Sequence, residues 1–243
     1  MQAITYSKSN GGLILIVMKQ KAFEEIVDML RDYTKLLVVG CNGCAGIYQV
    51  GGEKQAEVMR LLLEMARRLQ KVEITAKAVT VLRQCDRQIV ATTLDPVIKE
   101  YDAILSMACG AGVQTLAEVF PMKRVIPATD TQFIGMQDKE SGDFFELCSA
   151  CGNCILFETG GVCPITRCAK SLLNGPCGGC VDGQCEVPVE IRDEKGEIVK
   201  TFTVDCAWYQ IFNRLKEADR LDLFRKYRPP RNQAISGSPR QLR

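Results

Sequence analysis

The chain has 243 residues, 13 cysteines and no histidine. Its 47% hydrophobic and 25% charged content suits a globular protein, and a formal net charge of +2 is too near neutral to make nucleic acid the main partner. Without histidine there is no Ser-His-Asp or Cys-His mechanism and no histidine-ligated metal, so any metal must rest on sulfur or oxygen.

The first apolar run, Leu13 to Met18, is six residues long. A signal peptide needs roughly 7–15 apolar residues behind a basic region, and a membrane helix needs about 20. The expectation is therefore a cytoplasmic protein with no membrane insertion. In a reducing cytosol so many cysteines act as metal ligands rather than disulfide partners.

Residues 20–33 place Phe23, Ile26, Val27 and Leu30 at helical spacing. LLVVG (36–40) is a continuous apolar run of the kind found in buried parallel strands. An amphipathic helix follows over 53–70, then a strand over 73–81 and a helix over 87–100 that Pro96 interrupts. Strand 103–108, helix 113–120 and strand 123–128 continue the alternation. The pattern predicts an α/β fold, a parallel sheet flanked by helices, over residues 1–130. Residues 131–147 read as a crossover, 148–228 as a small cysteine-rich metal-binding domain, and 229–243 as a basic tail. Within the second domain, 186–202 reads as a β-hairpin turning at Asp193 to Gly196. Residues 207–227 read as a C-terminal helix with Trp208, Ile211, Phe212, Leu215 and Phe224 on one face. From 225 onward there are six basic residues, three prolines and no acid, which predicts an extended arm.

Residues 148–185 hold eight cysteines in 38 positions and little periodicity, so an apolar core alone does not hold them together. Cys148, Cys151 and Cys154 are each two residues apart, and Cys163-Pro164 follows. Two intervening residues let a tight loop direct both sulfurs at one centre, and three such cysteines in succession are similar to the ferredoxin run. The spacing departs from that run, because eight residues rather than three precede Cys163. Cys168, Cys177, Cys180 and Cys185 form a second group, whose Cys-x2-Cys step also suits tetrahedral zinc. Spacing leaves the pairing of these eight open.

Cys41, Cys44, Cys85 and Cys109 each follow an expected strand. In an open parallel sheet the carboxyl ends of the strands lie along one edge, where ligands bind. These four thiols are therefore expected to converge on a cluster, among Gly40, Gly43, Gly46, Gly110 and Gly112 and beside helix N-termini that favour negative charge. The bland alternative makes each a small buried hydrophobe. Cys206 falls outside three four-sulfur sites and is expected to be structural. Asp205, Glu217 and Asp219 read as solvated or capping residues. There is no G-x-G-x-x-G nicotinamide fingerprint, no internal repeat and no nucleophile–base pair.

CPITRCAKSLLNGPCGGC (163–180), with CSACGNC (148–154), resembles the C-terminal domain associated with methylenetetrahydrofolate reductase of anaerobic acetyl-CoA-pathway bacteria. There it forms a small cysteine-rich subunit beside a flavin-bearing catalytic barrel, for which this chain is too short. The resemblance implies iron–sulfur clusters, a zinc in addition, and electron delivery to the partner's flavin. On this reading Cys41, Cys44, Cys85 and Cys109 hold one [4Fe–4S] cluster. Cys148, Cys151 and Cys154, with Cys163 or a nearby thiol, hold a second. Cys168, Cys177, Cys180 and Cys185 hold zinc or a third cluster. The partners are the flavin-containing catalytic subunit and a low-potential electron donor protein. A zinc-stabilised assembly subunit without redox role is the alternative. A methyl-group or corrinoid module is a third reading, against which the lack of histidine counts.

Overall fold

Leu36, Leu37, Val38 and Val39 are all fully buried, which happens to a strand only when both faces of its sheet are covered. Alternate side chains of that run enter two separate cores. The computed structural model describes residues 15–138, 142–192, 196–237 and 240. The chain divides into two units between Phe145 and Glu146.

The first unit begins with β1 (Leu15–Gln20) and α1 (Phe23–Met29). It continues through β2 (Lys35–Cys41), the single turn α2 (Cys44–Ile47), α3 (Glu53–Leu69) and β3 (Thr75–Val81). Then come α4 (Arg87–Leu94), β4 (Ala103–Ser106), α5 (Gly110–Val119) and β5 (Arg124–Pro127). As expected, the four strands from Lys35 to Pro127 form a parallel sheet, in the order β3-β2-β4-β5. Leu36 and Val38 pack with Ile26 of α1 and Met59 and Leu63 of α3 on one face. Leu37 and Val39 pack with Val90 and Leu94 of α4 and Leu116 of α5 on the other. Each such side chain, fully buried, contributes roughly 1.5–3 kcal/mol. α4 stops before Pro96, and a single 3-10 turn, Ile98–Glu100, replaces the rest of the expected helix.

The first apolar run, for which no element was expected, enters β1 from Leu15 onward; Leu13 and Ile14 lie outside the described residues. One expectation changes in this unit. The stretch 131–147, read as a crossover, is largely strand: β6 (Thr129–Gln137) pairs antiparallel with β1, and β7 (Phe144–Cys148) completes the sheet order β1-β6-β7. An antiparallel strand with a solvated face carries many polar residues, and β6 therefore resembles a loop in composition.

The second unit has a short core of Val162, Ala207, Trp208, Ile211, Leu215 and Leu223. Around it lie α6 (Pro164–Arg167), the two-residue strands β8 (Cys180–Val181) and β9 (Gln184–Cys185), and the expected hairpin, β10 (Val189–Arg192) with β11 (Ile198–Phe202). Residues 193–195 of its turn lie outside the described residues. The expected C-terminal helix is two pieces, α7 (Ala207–Glu217) and α8 (Leu221–Phe224). Asp219 breaks them with φ of 53°, a left-handed conformation that Asp tolerates better than most residues. The aromatic face survives the break: Phe224 meets Trp208 and Phe212 edge-on, at centroid distances of 5.7 and 5.5 Å.

The arm expected from residue 225 is anchored at its start. Arg228 is 4% exposed. Its guanidinium pairs with the Glu158 carboxylate at 3.0 Å and donates to the carbonyls of Glu158, Leu173 and Leu223. Its backbone exchanges hydrogen bonds with the Asn174 amide at 2.7 and 2.8 Å. A cation among polar neighbours reads as solvated in sequence; this one instead ties three loops over Trp208.

Candidate functional site

β2 and β4 are neighbours, but the chain visits β3 between them, so the strand order reverses at the β2–β4 seam. Ligands of open α/β sheets bind outside the carboxyl ends of strands at such a reversal. Cys41 is the last residue of β2, Cys44 opens α2, and Cys109 is the residue before α5, just past β4. Cys85 follows the adjacent β3 and precedes Asp86, whose carboxylate caps α4 by accepting from the N–H groups of Gln88 and Ile89.

The Cys41 thiol is buried. Burial pushes its pKa up from the usual 9.0, and the neighbouring Cys109 and Cys85 sulfurs push in the same direction. Backbone N–H groups of Gln84 and Gly43 oppose them by hydrogen-bonding the sulfur. The structure thus brings Cys41, Cys85 and Cys109 within electrostatic reach of one another. Cys44 packs on the same small cluster of Met18, Cys41, Ala45 and Ala108.

One residue that sequence reasoning passed over ties these loops together. Gln84 is fully buried; its side-chain N–H₂ donates to Val39 O at 2.8 Å, and its Oε1 accepts from Ser106 Oγ at 2.6 Å. It joins the Cys85 loop to β2 and β4 beneath the cysteines. A glutamine beside a cysteine in a loop carries no sequence signal for such a clamp. Glycine is needed for the close approach at two positions. A Cβ on Gly51 would lie 1.9 Å from Met107 O, and one on Gly112 would lie 2.8 Å from Gln84 Cβ.

In the second unit two of the three Cys-x2-Cys steps, Cys148–Cys151 and Cys177–Cys180, share a local geometry. The N–H of Ala150 donates to Cys148 Sγ at 3.3 Å, and the N–H of Gly179 donates to Cys177 Sγ at 3.4 Å. Ala150, Gly152 and Gly178 have positive φ, which curls the loop around the sulfur. Cys151 Sγ donates to Asn153 O at 3.6 Å, while Cys154 is exposed and Cys163 half-buried. Cys180 and Cys185 sit opposite each other in β8–β9. Burial raises the Cys180 thiol most, followed by a hydrogen bond with Cys206. Cys168 packs against the Trp208 cluster.

Among the described residues, no group of three or more Cys, Asp or Glu side chains is placed to hold a metal ion as it stands. The donor chemistry nevertheless fits a thiolate-ligated group. The candidate donors are sulfurs, and those of Cys148 and Cys177 already accept backbone N–H groups at 3.3 and 3.4 Å. Also among the described residues, no helix is long and apolar enough to cross a membrane.

Residues 126–234 match a family described as methylene-tetrahydrofolate reductase C terminal. That segment is therefore related to methylene-tetrahydrofolate reductase proteins. It contains the eight clustered cysteines and Cys206, and it leaves out the four strand-end cysteines. No curated protein and no solved structure matches the chain.

Proposed function

We propose that this chain is a non-catalytic, electron-transferring subunit of a methylenetetrahydrofolate reductase complex. It would pass electrons from a low-potential donor protein to the flavin of the catalytic subunit. The observation that carries the reading is the set of thiols at the ends of adjacent strands, at the seam where strand order reverses, in a chain whose second half matches the reductase family.

A bound [4Fe–4S] cluster supplies one-electron transfer. Cys41, Cys44, Cys85 and Cys109 would hold one, with the N–H groups of Gln84 and Gly43 spreading the charge at the Cys41 sulfur. Cys148, Cys151, Cys154 and Cys163 would hold a second, with the Ala150 N–H on Cys148. Cys177, Cys180 and Cys185 would contribute to a third site for zinc or a cluster. Membership of a complex has further support. Val58, Leu61, Leu62, Met65 and Leu69 form an exposed apolar stripe along α3, of the kind that marks interaction surfaces.

Iron, zinc and acid-labile sulfide are to be measured on protein isolated anaerobically with its partner. A brown protein that bleaches on reduction is expected, and Cys109→Ser is expected to lose about four irons per chain and one reduced-state EPR signal. A colourless protein with zinc and no iron overturns the proposal and leaves a zinc-stabilised assembly subunit. Iron and EPR unchanged in Cys109→Ser overturn the sheet-edge cluster.

A further inference from the structure

We propose that Cys206 completes a four-thiolate site with Cys177, Cys180 and Cys185 for a tetrahedral divalent cation of the zinc type, and that Cys168 is a core thiol. This deepens the reading of the second unit as a metal module and does not depend on iron at the sheet edge.

β8 and β9 are joined by Asp182-Gly183, both at positive φ (51° and 82°), the turn geometry of a tight hairpin. Cys180 and Cys185 are therefore direct cross-strand partners, whose Cβ atoms lie about 4.5–5.5 Å apart. The segment 204–206 is laid along the same hairpin. Cys185 N–H donates to Val204 O at 2.8 Å, and Cys206 N–H donates to Gly183 O at 2.7 Å. Asp205 bridges to Gln184, and its carboxylate takes the side-chain amides of Gln184 at 2.7 Å and Gln210 at 2.9 Å. Asp205, expected as a solvated or capping residue, thus holds the Cys206 segment to the cysteine hairpin.

This backbone arrangement sets the Cys206 segment against the strand pair that carries Cys180 and Cys185. Four thiolates, each near about 2.3 Å from the metal, suit one tetrahedral zinc. Cys206 is the residue immediately before the 11-residue α7, at the positive end of that helix. Cys177 stands three residues before Cys180 and accepts the Gly179 N–H. Its thiol now meets Glu186 at 3.6 Å and would exchange that carboxylate for the metal. Lys170, paired with Glu186, would offset the negative charge of the thiolate site. Each ligand thiol releases its proton to solvent as the cation binds.

Cys168 and Cys206 both pack against the Trp208 cluster. Of the two, Cys206 is the one whose segment is tied by backbone to the cysteine hairpin.

The test uses the full chain, isolated anaerobically with its iron in place. Cysteines are alkylated and mapped before and after a zinc chelator is added. Labelling of Cys177, Cys180, Cys185 and Cys206 is expected to rise, with Cys168 unchanged. Cys206→Ser is expected to lose one zinc per chain and Cys168→Ser to keep it. Zinc retained in Cys206→Ser but lost in Cys168→Ser overturns the proposal, as does chelator-sensitive labelling of Cys168 in place of Cys206, or wild-type protein without zinc. The alkylation map needs no variant, so it decides the matter even if Cys206→Ser fails to fold. Iron content and EPR of the same samples report the sheet-edge proposal separately.

Discussion

Replacing Arg228 with Met removes the clasp of the second unit while keeping an unbranched stem against Trp208. The guanidinium makes an ion pair with Glu158 at 3.0 Å and donates to carbonyls of Glu158, Leu173 and Leu223 at 2.9, 3.1 and 3.3 Å. Removing one partner from a buried charged pair costs about 3–5 kcal/mol, and three carbonyls lose a donor as well. Lys226 still pairs with Glu158, which keeps the loss within that range. Trp208 is the single tryptophan and lies 5.8 Å beneath the guanidinium, so its fluorescence follows this unit alone. With a urea slope of about 2 kcal/mol per molar, the midpoint followed by tryptophan should fall by about 2 M. Arg225 is exposed, and Arg225→Met should change stability by about 0.5 kcal/mol or less. If Arg228→Met moves the midpoint no further than Arg225→Met, the clasp does not carry the stability assigned to it.

Acid should weaken the same clasp. Hydrogen bonds from Lys226, then Arg228, hold the Glu158 carboxyl below its ordinary value of 4.5, against the effect of burial. The unfolded chain therefore takes up this proton first as pH falls. The pair's stabilisation is complete above about pH 4.5 and disappears as pH falls through the lower, folded value. Urea midpoints from about pH 6 to about pH 3 should fall less steeply in Glu158→Gln than in the parent, and parallel curves would count against the pairing. In the first unit, Gln84→Leu takes the acceptor from the buried Ser106 hydroxyl and one of two donors from the Val39 carbonyl, which keeps the Met107 N–H at 2.9 Å. A buried orphan of this kind costs about 1–3 kcal/mol, so thermal unfolding should begin a few degrees lower. Amide exchange should also accelerate from Leu82 to Asp86, and unchanged exchange there would show that Gln84 does not position the Cys85 loop.

The central sheet was legible because its determinants are local. Four buried residues in a row at Leu36–Val39, and apolar spacing along α3, need no knowledge of the rest of the chain. The strand-end positions of Cys41, Cys44, Cys85 and Cys109 followed from the same alternation of strand and helix. β1 and β6 were not legible, because each is stabilised by the other across more than one hundred residues of chain. Neither Gln84 nor Arg228 stands out in sequence, because both are polar residues outside helix and strand, and burial is a property of the neighbours that surround them.

The count of 13 cysteines and no histidine determined the chemistry open to this protein: soft donors, no imidazole, and a unit too poor in apolar residues to fold on its core alone. Tertiary structure alone decided which sulfurs are neighbours. Cys206 is twenty-one residues from Cys185 and looked spare by arithmetic, yet the hairpin at Asp182-Gly183 and two backbone hydrogen bonds lay its segment along the strand pair that carries Cys180 and Cys185. Sulfur–sulfur proximity is set by strand register and long-range hydrogen bonds, and spacing along the chain encodes neither once a loop intervenes.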